Sequence, residues 1–204
     1  MGLVGQGTVH SSVDHLHALL FFAKQQGLTK VFVHAITDGR DSPPKSALGI
    51  IKPLEDKITQ IGVGKIASVL GRYYAMDRDR RWERIEKAYV CLTKGSPLTA
   101  QTPEQAIQSA YDKNLTDEFI EPTNIVAAGQ APTLIKEGDA VIYFNYRIDR
   151  PRELTKTFVL DDFQKEANKT LSFDPYAAKY EKTNLEKKPP EAFNPPFQRG
   201  EKIK

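Results

Sequence analysis

Nine of the ten arginines in this chain fall in three short windows: Arg40 alone, Arg72 to Arg84, and Arg147 to Arg152. Each window follows an apolar run that reads as a β-strand, whereas the nineteen lysines are spread through helices, turns and the C-terminal part. Only Arg199 stands apart. A guanidinium is a flat fork of donors that grips a carboxylate or phosphate with two parallel hydrogen bonds, while lysine is a mobile point charge. In open α/β sheets, ligands gather beyond the carboxyl ends of the strands. A small, multiply charged anion is therefore the first ligand to which the pattern points.

The densest window is GRYYAMDRDRRWER, where Arg72, Arg78, Arg80, Arg81 and Arg84 alternate with Asp77, Asp79 and Glu83. Read blandly, it is a solvated helix start with exposed ion pairs, each worth roughly 0 to 1 kcal/mol. Arg80, Arg81 and Arg84 fit that structural part best, whereas Arg72 stands immediately after a strand. Tyr73, Tyr74 and Trp82 would also suit stacking against a single-stranded nucleic acid. The interleaved acids repel phosphate, so no nucleic-acid partner is expected. In Asn145-Tyr146-Arg147-Ile148-Asp149-Arg150, the three-residue spacing aims the forks of Arg147 and Arg150 to one side if the segment coils. The plain alternative is an aspartate at a helix start, favoured by the dipole.

Asp38-Gly39-Arg40-Asp41 is a turn with a charged pair at its end. A carboxylate paired in this way stays ionised at neutral pH and can take a proton or hydrogen bond from a hydroxyl, although a helix-capping aspartate would read the same. His10 lies in a loop just before a helix start, where an imidazole can bind or shuttle at a phosphoryl group. His15 and His17 read as helix-face residues, and His34, inside an apolar strand, as a hydrogen-bonded core histidine. No grouping has metal-ligand spacing, so no metal is expected within this chain.

The elements that must position these residues alternate strand and helix, the signature of a layered α/β domain. Leu3 and Val4 begin the first strand. Ser11 is expected to cap a helix whose apolar stripe is Val13, Leu16, Leu19, Leu20 and Ala23, ending at Gly27. Strands are expected at 30 to 36 and 65 to 70, with a helix starting near Ser42-Pro43-Pro44 and breaking or kinking at Pro53. A helix from about 79 to 93 follows, then a polar excursion with a short helix at 103 to 112. Residues 139 to 146 (DAVIYFNY) give the clearest strand, followed by a helix of about ten residues. The expected fold is a three-layer α/β/α domain around a mostly parallel, mixed sheet of about five strands, spanning 1–160. Residues 161–204, rich in Pro and Lys, are expected to form an extended arm or linker.

At 204 residues and 40% apolar content the chain can bury a real core, and a net charge of only +3 does not imply a nucleic-acid or membrane partner. A single cysteine excludes an internal disulfide and fits a reducing compartment. No stretch approaches the roughly 18 apolar residues of a membrane span. A cytoplasmic location is expected.

Five segments, VHSSVDHLHALL, VHAITDGRDSPPKSALG, KIASVLGRYYAMDRDRRWERIEKAY, TDEFIEPT and DAVIYFNYRIDR, closely resemble the cofactor-independent (bisphosphoglycerate-independent) phosphoglycerate mutases over about residues 7 to 160. The pairing of GRYYAMDRD with DGRD-x-PP is very specific. The resemblance implies an enzyme of two domains: a phosphatase-like domain with two manganese ions and a nucleophilic serine, and an inserted domain that orients the glycerate. This chain resembles the inserted domain alone, with the metal ligands outside it and the phosphatase-like domain as its missing partner. Isolated, it is expected to be inactive. By motif, His10 would lie at the phosphoserine and substrate, and Arg40 and Asp41 would bind the glycerate hydroxyls, with Asp41 moving the proton. Arg72 and Arg78 would hold the substrate, and Arg147 and Arg150 its carboxylate or phosphoryl group. Where the family usually reads Ser-Asp-Gly-Gly before Val-His-Ser, this chain has Gly5-Gln6-Gly7-Thr8. The alternative is a stand-alone phosphate- or carboxylate-binding module without catalysis.

Overall fold

The computed structural model describes residues 1–169 and 195–203. Five strands, β1 (Gly2–Val4), β2 (Val33–Thr37), β3 (Ile66–Gly71), β4 (Thr99–Ala100) and β5 (Thr123–Ile125), form one sheet in the order β1-β2-β3-β5-β4. Only the β3–β5 pair is antiparallel. The mixed, mostly parallel sheet is thus as the sequence predicts. On one face pack α1 (Val13–Gln25), α2 (Leu48–Ile61) and α5 (Pro103–Asp112); on the other lie α3 (Arg72–Ala75), α4 (Trp82–Thr93), α6 (Pro151–Val159) and α7 (Phe163–Glu166). Alternation along the strands feeds both layers: Val4, Ala35 and Val69 enter the first core, and Leu3, Ile36 and Leu70 the second. Because both faces are covered, β2 and β3 are buried throughout.

Register decides where the site can be. Val4 pairs with Thr37, and Thr37 with Gly71, so β1, β2 and β3 end in line. The loops that follow, carrying His10, Asp38 to Asp41 and Arg72 to Arg78, leave the sheet side by side at its carboxyl edge.

Three local expectations are corrected. Residues 139 to 146 do not form a strand. The segment runs beside β1, where Met1 donates from its amino terminus to Ile142 O (2.7 Å) and Phe144 N to Met1 O (3.0 Å). The Leu3 amide, however, is taken by the Asn145 side chain, Oδ1 accepting at 2.9 Å, so a side chain stands in the ladder where a carbonyl would be. The fifth strand comes instead from the excursion after α4, where β4 and β5 join the sheet. Second, Ser12 rather than Ser11 caps α1, accepting from Asp14 N (3.2 Å), because the Ser11 hydroxyl donates to Leu3 O (2.6 Å).

Third, α2 starts at Leu48, well past Ser42 and the two prolines, and continues through Pro53. Its first turn has no cap of its own. Asp117 supplies one from 70 residues away, Oδ2 accepting from Ser46 N (2.8 Å) and Ala47 N (2.9 Å). Asp117 sits in the 3-10 turn Asp117–Phe119, held by the Tyr111 hydroxyl. That turn lies against Gly39, whose φ of 67° and whose approach to Glu118 N, 2.7 Å from where a Cβ would be, leave room only for glycine.

The arm expected over 161–204 falls largely outside the described residues. Of the described part, 163–166 is helical, and Arg199, set apart by the sequence pattern, is 4% exposed. It donates to Thr157 O (3.0 Å), Leu160 O (2.7 Å) and Asp161 O (3.1 Å), satisfying carbonyls at the end of α6.

Candidate functional site

The carboxyl edge holds two adjoining sets of charged groups. The inner set is closed. Arg72, 3% exposed at the end of β3, donates through Nη1 to Asp38 Oδ1 and Asp41 Oδ2, both at 2.6 Å, and its Nη2 lies 3.2 Å from His10 Nε2. Since a guanidinium only donates, His10 Nε2 must offer its lone pair, which leaves the proton on Nδ1. Nδ1 faces Asp149 Oδ1 across 3.8 Å, too far for a hydrogen bond. Burial, and then the positive charge of Arg72, push His10 below its ordinary value, so the neutral ring is favoured. Burial alone would raise Asp41, but the hydrogen bond and charge of Arg72 outweigh it and hold the carboxyl below the usual range. Arg72 answers likewise: burial disfavours its charge, and Asp41 and Asp38 more than restore it.

The backbone of this set is pinned by Ser42. Its hydroxyl donates to Asp38 Oδ2 (2.8 Å) and accepts from Gln6 N and Gly7 N, both at 3.0 Å. Gly7 passes so close to Asp41 that a Cβ there would lie 2.4 Å from the Asp41 carbonyl. His10 O accepts from Tyr146 N (3.0 Å), which ties the 139 to 146 segment to the same loop. The Gly5-Gln6-Gly7-Thr8 variation therefore still delivers a defined loop, with Ser42 supplying the hydrogen bonds.

The outer set is open. A cavity of about 340 Å³ is walled by six arginines, Arg40, Arg72, Arg78, Arg81, Arg84 and Arg150, against three carboxylates, Asp77, Asp79 and Glu118. Arg40 and Arg78 are half exposed, Arg40 reaching Glu118 Oε1 (3.3 Å) and Arg78 reaching Asp149 Oδ2 (2.9 Å). Arg150 donates to Met76 O (3.0 Å). Burial, and then the like charges of Arg72, Arg78 and Arg40, lower Arg150 against the smaller opposing pull of Asp149, as expected where guanidinium groups crowd together.

Of the residues singled out from sequence, His10, Asp41 and Arg72 meet in the inner set, and Arg40, Arg72, Arg78 and Arg150 share the cavity. Arg147 does not. It turns to Asp149, its Nε lying 3.0 Å from Oδ1, and does not line the cavity that Arg150 shares. Asp149 is no helix cap; it ties Arg78 to Arg147 and faces His10. Arg81 and Arg84, expected to be structural, line the cavity while also pairing with Asp77 at 2.8 and 3.5 Å. Asp38 and Ser42 join the site as well, although the sequence of the DGRD-x-PP stretch marks them only as part of a turn and a helix start. Glu118 carried no signal beyond its place in TDEFIEPT. His34 is as expected, 2.9 Å from Ser68 Oγ and driven down to about 3 by burial.

Among the described residues, no group of three or more His, Cys, Asp or Glu side chains is placed to hold a metal ion, and no helix is long and apolar enough to cross a membrane.

Comparison with known proteins places these features in a family. The profile described as BPG-independent PGAM N-terminus matches residues 1–182. The 2,3-bisphosphoglycerate-independent phosphoglycerate mutase of Moorella thermoacetica is 52% identical over 163 residues, 80% of this chain and 32% of that protein. That of Clostridium kluyveri is 53% identical over 156 residues, 76% of this chain and 31% of the relative. A phosphoglycerate mutase of Leishmania mexicana, solved at low cobalt concentration, superposes with a TM-score of 0.73 at 30% identity over 85% of this chain and 32% of its own. The chain thus spans about a third of the length of the relatives it matches. With 182 of its residues under one profile, it belongs to the BPG-independent phosphoglycerate mutase N-terminus family.

Proposed function

We propose that this chain is the glycerate-orienting part of a glycolytic phosphoglycerate mutase that interconverts 3-phosphoglycerate and 2-phosphoglycerate through a phosphoserine carried elsewhere in the protein. The observation that carries the proposal is the crowding of Arg40, Arg72, Arg78 and Arg150 around one open cavity beside Asp41. Guanidinium groups held close together at a cost become favourable when a multivalent anion enters.

In this reading the phosphoryl group leaves 3-phosphoglycerate for the serine, the retained glycerate turns, and the phosphoryl group returns to the other hydroxyl. Arg40, Arg78 and Arg150 hold the glycerate carboxylate and the incoming phosphoryl oxygens, fixing which hydroxyl faces the reaction. Asp41, kept ionised by Arg72, accepts the proton of the attacking hydroxyl, and neutral His10 lies next to it on the same guanidinium. Arg147 acts through Asp149, setting the position of Arg78. The two manganese ions implied by the family are assigned in this reading to the phosphatase-like part, and no step here depends on them. The isolated chain binds anions and does not turn over; the reaction belongs to the complete cytoplasmic enzyme.

The test is a titration of the 204-residue chain with 3-phosphoglycerate, read on the arginine Nε–H signals. Shifts at Arg40, Arg78 and Arg150, with no product formed, are the expected result. Signals that stay unmoved at millimolar ligand would remove the proposal.

A further inference from the structure

Glu153 lines neither the cavity nor the inner set, yet it is 6% exposed and carries a carboxyl group into the protein from the first turn of α6. Its Oε1 accepts from Arg80 N at 2.8 Å. On either side, Asp77 Oδ1 accepts from Asp79 N (2.9 Å) and Arg81 N (3.0 Å). Three consecutive amides, 79, 80 and 81, are thus all received by carboxyl oxygens, one from inside the turn and one from a helix more than 70 residues away. Arg80 is held at a φ of 59°, a left-handed conformation uncommon for a residue with a side chain. The same turn carries Arg78 and Arg81, two walls of the cavity.

We propose that Glu153 is a positioning residue for this arginine wall: as a neutral acid it clamps the Asp77–Arg81 turn so that Arg78 and Arg81 face the cavity, and losing its proton releases the clamp. The anion-binding consequence rests on the function proposed above; the clamp itself does not. The geometry favours the neutral form. Glu153 Oε2 is buried without a donor to meet it. Ionised, it would add a second buried negative charge beside Asp77; protonated, it supplies the missing donor toward Asp77.

The cations nearby have acceptors of their own. Arg81 and Arg84 on the α4 side pair with Asp77 Oδ2 (2.8 and 3.5 Å), and Lys156, one turn along α6, donates to Ala167 O (2.6 Å) and Lys169 O (3.1 Å). Two positive charges act on Glu153 from a distance: Lys156, which opposes the rise, and the Arg80 guanidinium, itself depressed by burial. Burial chiefly, and then the Asp77 charge, raise Glu153 to about 8, while hydrogen bonds from Arg81 and the Asp79 amide outweigh burial and keep Asp77 low. The proton of the pair therefore sits on Glu153.

The sign follows from linkage. Between the ordinary value of 4.5 and about 8, the unfolded chain has lost a proton that the folded chain keeps. Stability accordingly falls with rising pH across that window and levels off above it. The test is carboxyl ¹³C and ¹⁵N NMR of the 204-residue chain from pH 4 to 10, with sulfate as an anion of constant charge. The Glu153 carboxyl should titrate near pH 8, with the Arg80 amide and the Arg78 and Arg81 Nε–H signals following the same curve and sulfate affinity dropping along it. Glu153→Gln should keep the Arg80 amide at its low-pH position and erase the inflection. A Glu153 carboxyl that titrates below pH 5, or arginine signals that ignore its titration, would overturn the proposal. Should Glu153→Gln fail to fold, the wild-type titration still decides. Should sulfate bind at no pH, the anion-binding reading falls, while the carboxyl titration continues to judge the clamp.

Discussion

The two sets of arginines at the sheet edge are built on opposite plans. Arg72 lies under the loops, its side chain 2% exposed, and meets two carboxylates and an imidazole. Arg40, Arg78 and Arg150 stand around a cavity, with the first two half exposed and the third depressed by burial and then by its neighbours. Within a closed set, charge is spent on fixing three loops to one another. In the open set, charge is left over. The lesson is that a run of like residues in a sequence can divide into scaffold and ligand grip according to whether a strand end buries each one.

The largest effect should therefore fall on stability and come from the closed set. Arg72→Met leaves Asp38 buried without its cation, and breaking a buried pair by removing one partner costs about 3–5 kcal/mol. Urea unfolding should register most of that loss; a change below about 1 kcal/mol would mean that Arg72 is no scaffold. The next effect should fall on binding and come from the open set. Arg150→Ala removes one charged hydrogen bond to the anion, worth about 1.5–3 kcal/mol, and calorimetry with 3-phosphoglycerate should show affinity reduced by about ten- to a hundredfold. Its unfolding midpoint should hardly move, since the substitution also relieves like-charge crowding. The smallest effect belongs to Arg40→Ala in the free protein, where an exposed pair with Glu118 contributes about 0–1 kcal/mol. If Arg40→Ala destabilised the chain as much as Arg72→Met, the division into two sets would be wrong.

The sequence made the scaffold side of this division harder to see than the grip. Periodicity located β2, β3, α1, α4, α5 and α6, because each buries a regular apolar face in one of the two cores. It overread DAVIYFNY as a strand: apolar alternation reports burial and extension, and nothing in it records that Asn145 would occupy the Leu3 amide. It underread β4 and β5, which have two and three residues and are strands only because β5 finds the edge of β3 and β4 the edge of β5. At the site, arginine placement pointed to the cavity, whereas Asp149 passed for a helix-start residue. Its true partners, Arg78 and His10, are separated from it by 71 and 139 positions, and no local pattern encodes that meeting.

The remote cap on α2 has an implication for how the chain acquires its shape. The amides of Ser46 and Ala47 find their acceptor only when residue 117 has arrived, and the same turn fills the space above Gly39 that keeps the Arg40 loop in form. A truncated polypeptide ending near residue 100 would thus hold the sequence of α2, yet lack the acceptor for its first amides and the turn that packs over Gly39. The Asp38 to Asp41 loop and the start of the second helix share a neighbour that is distant in sequence.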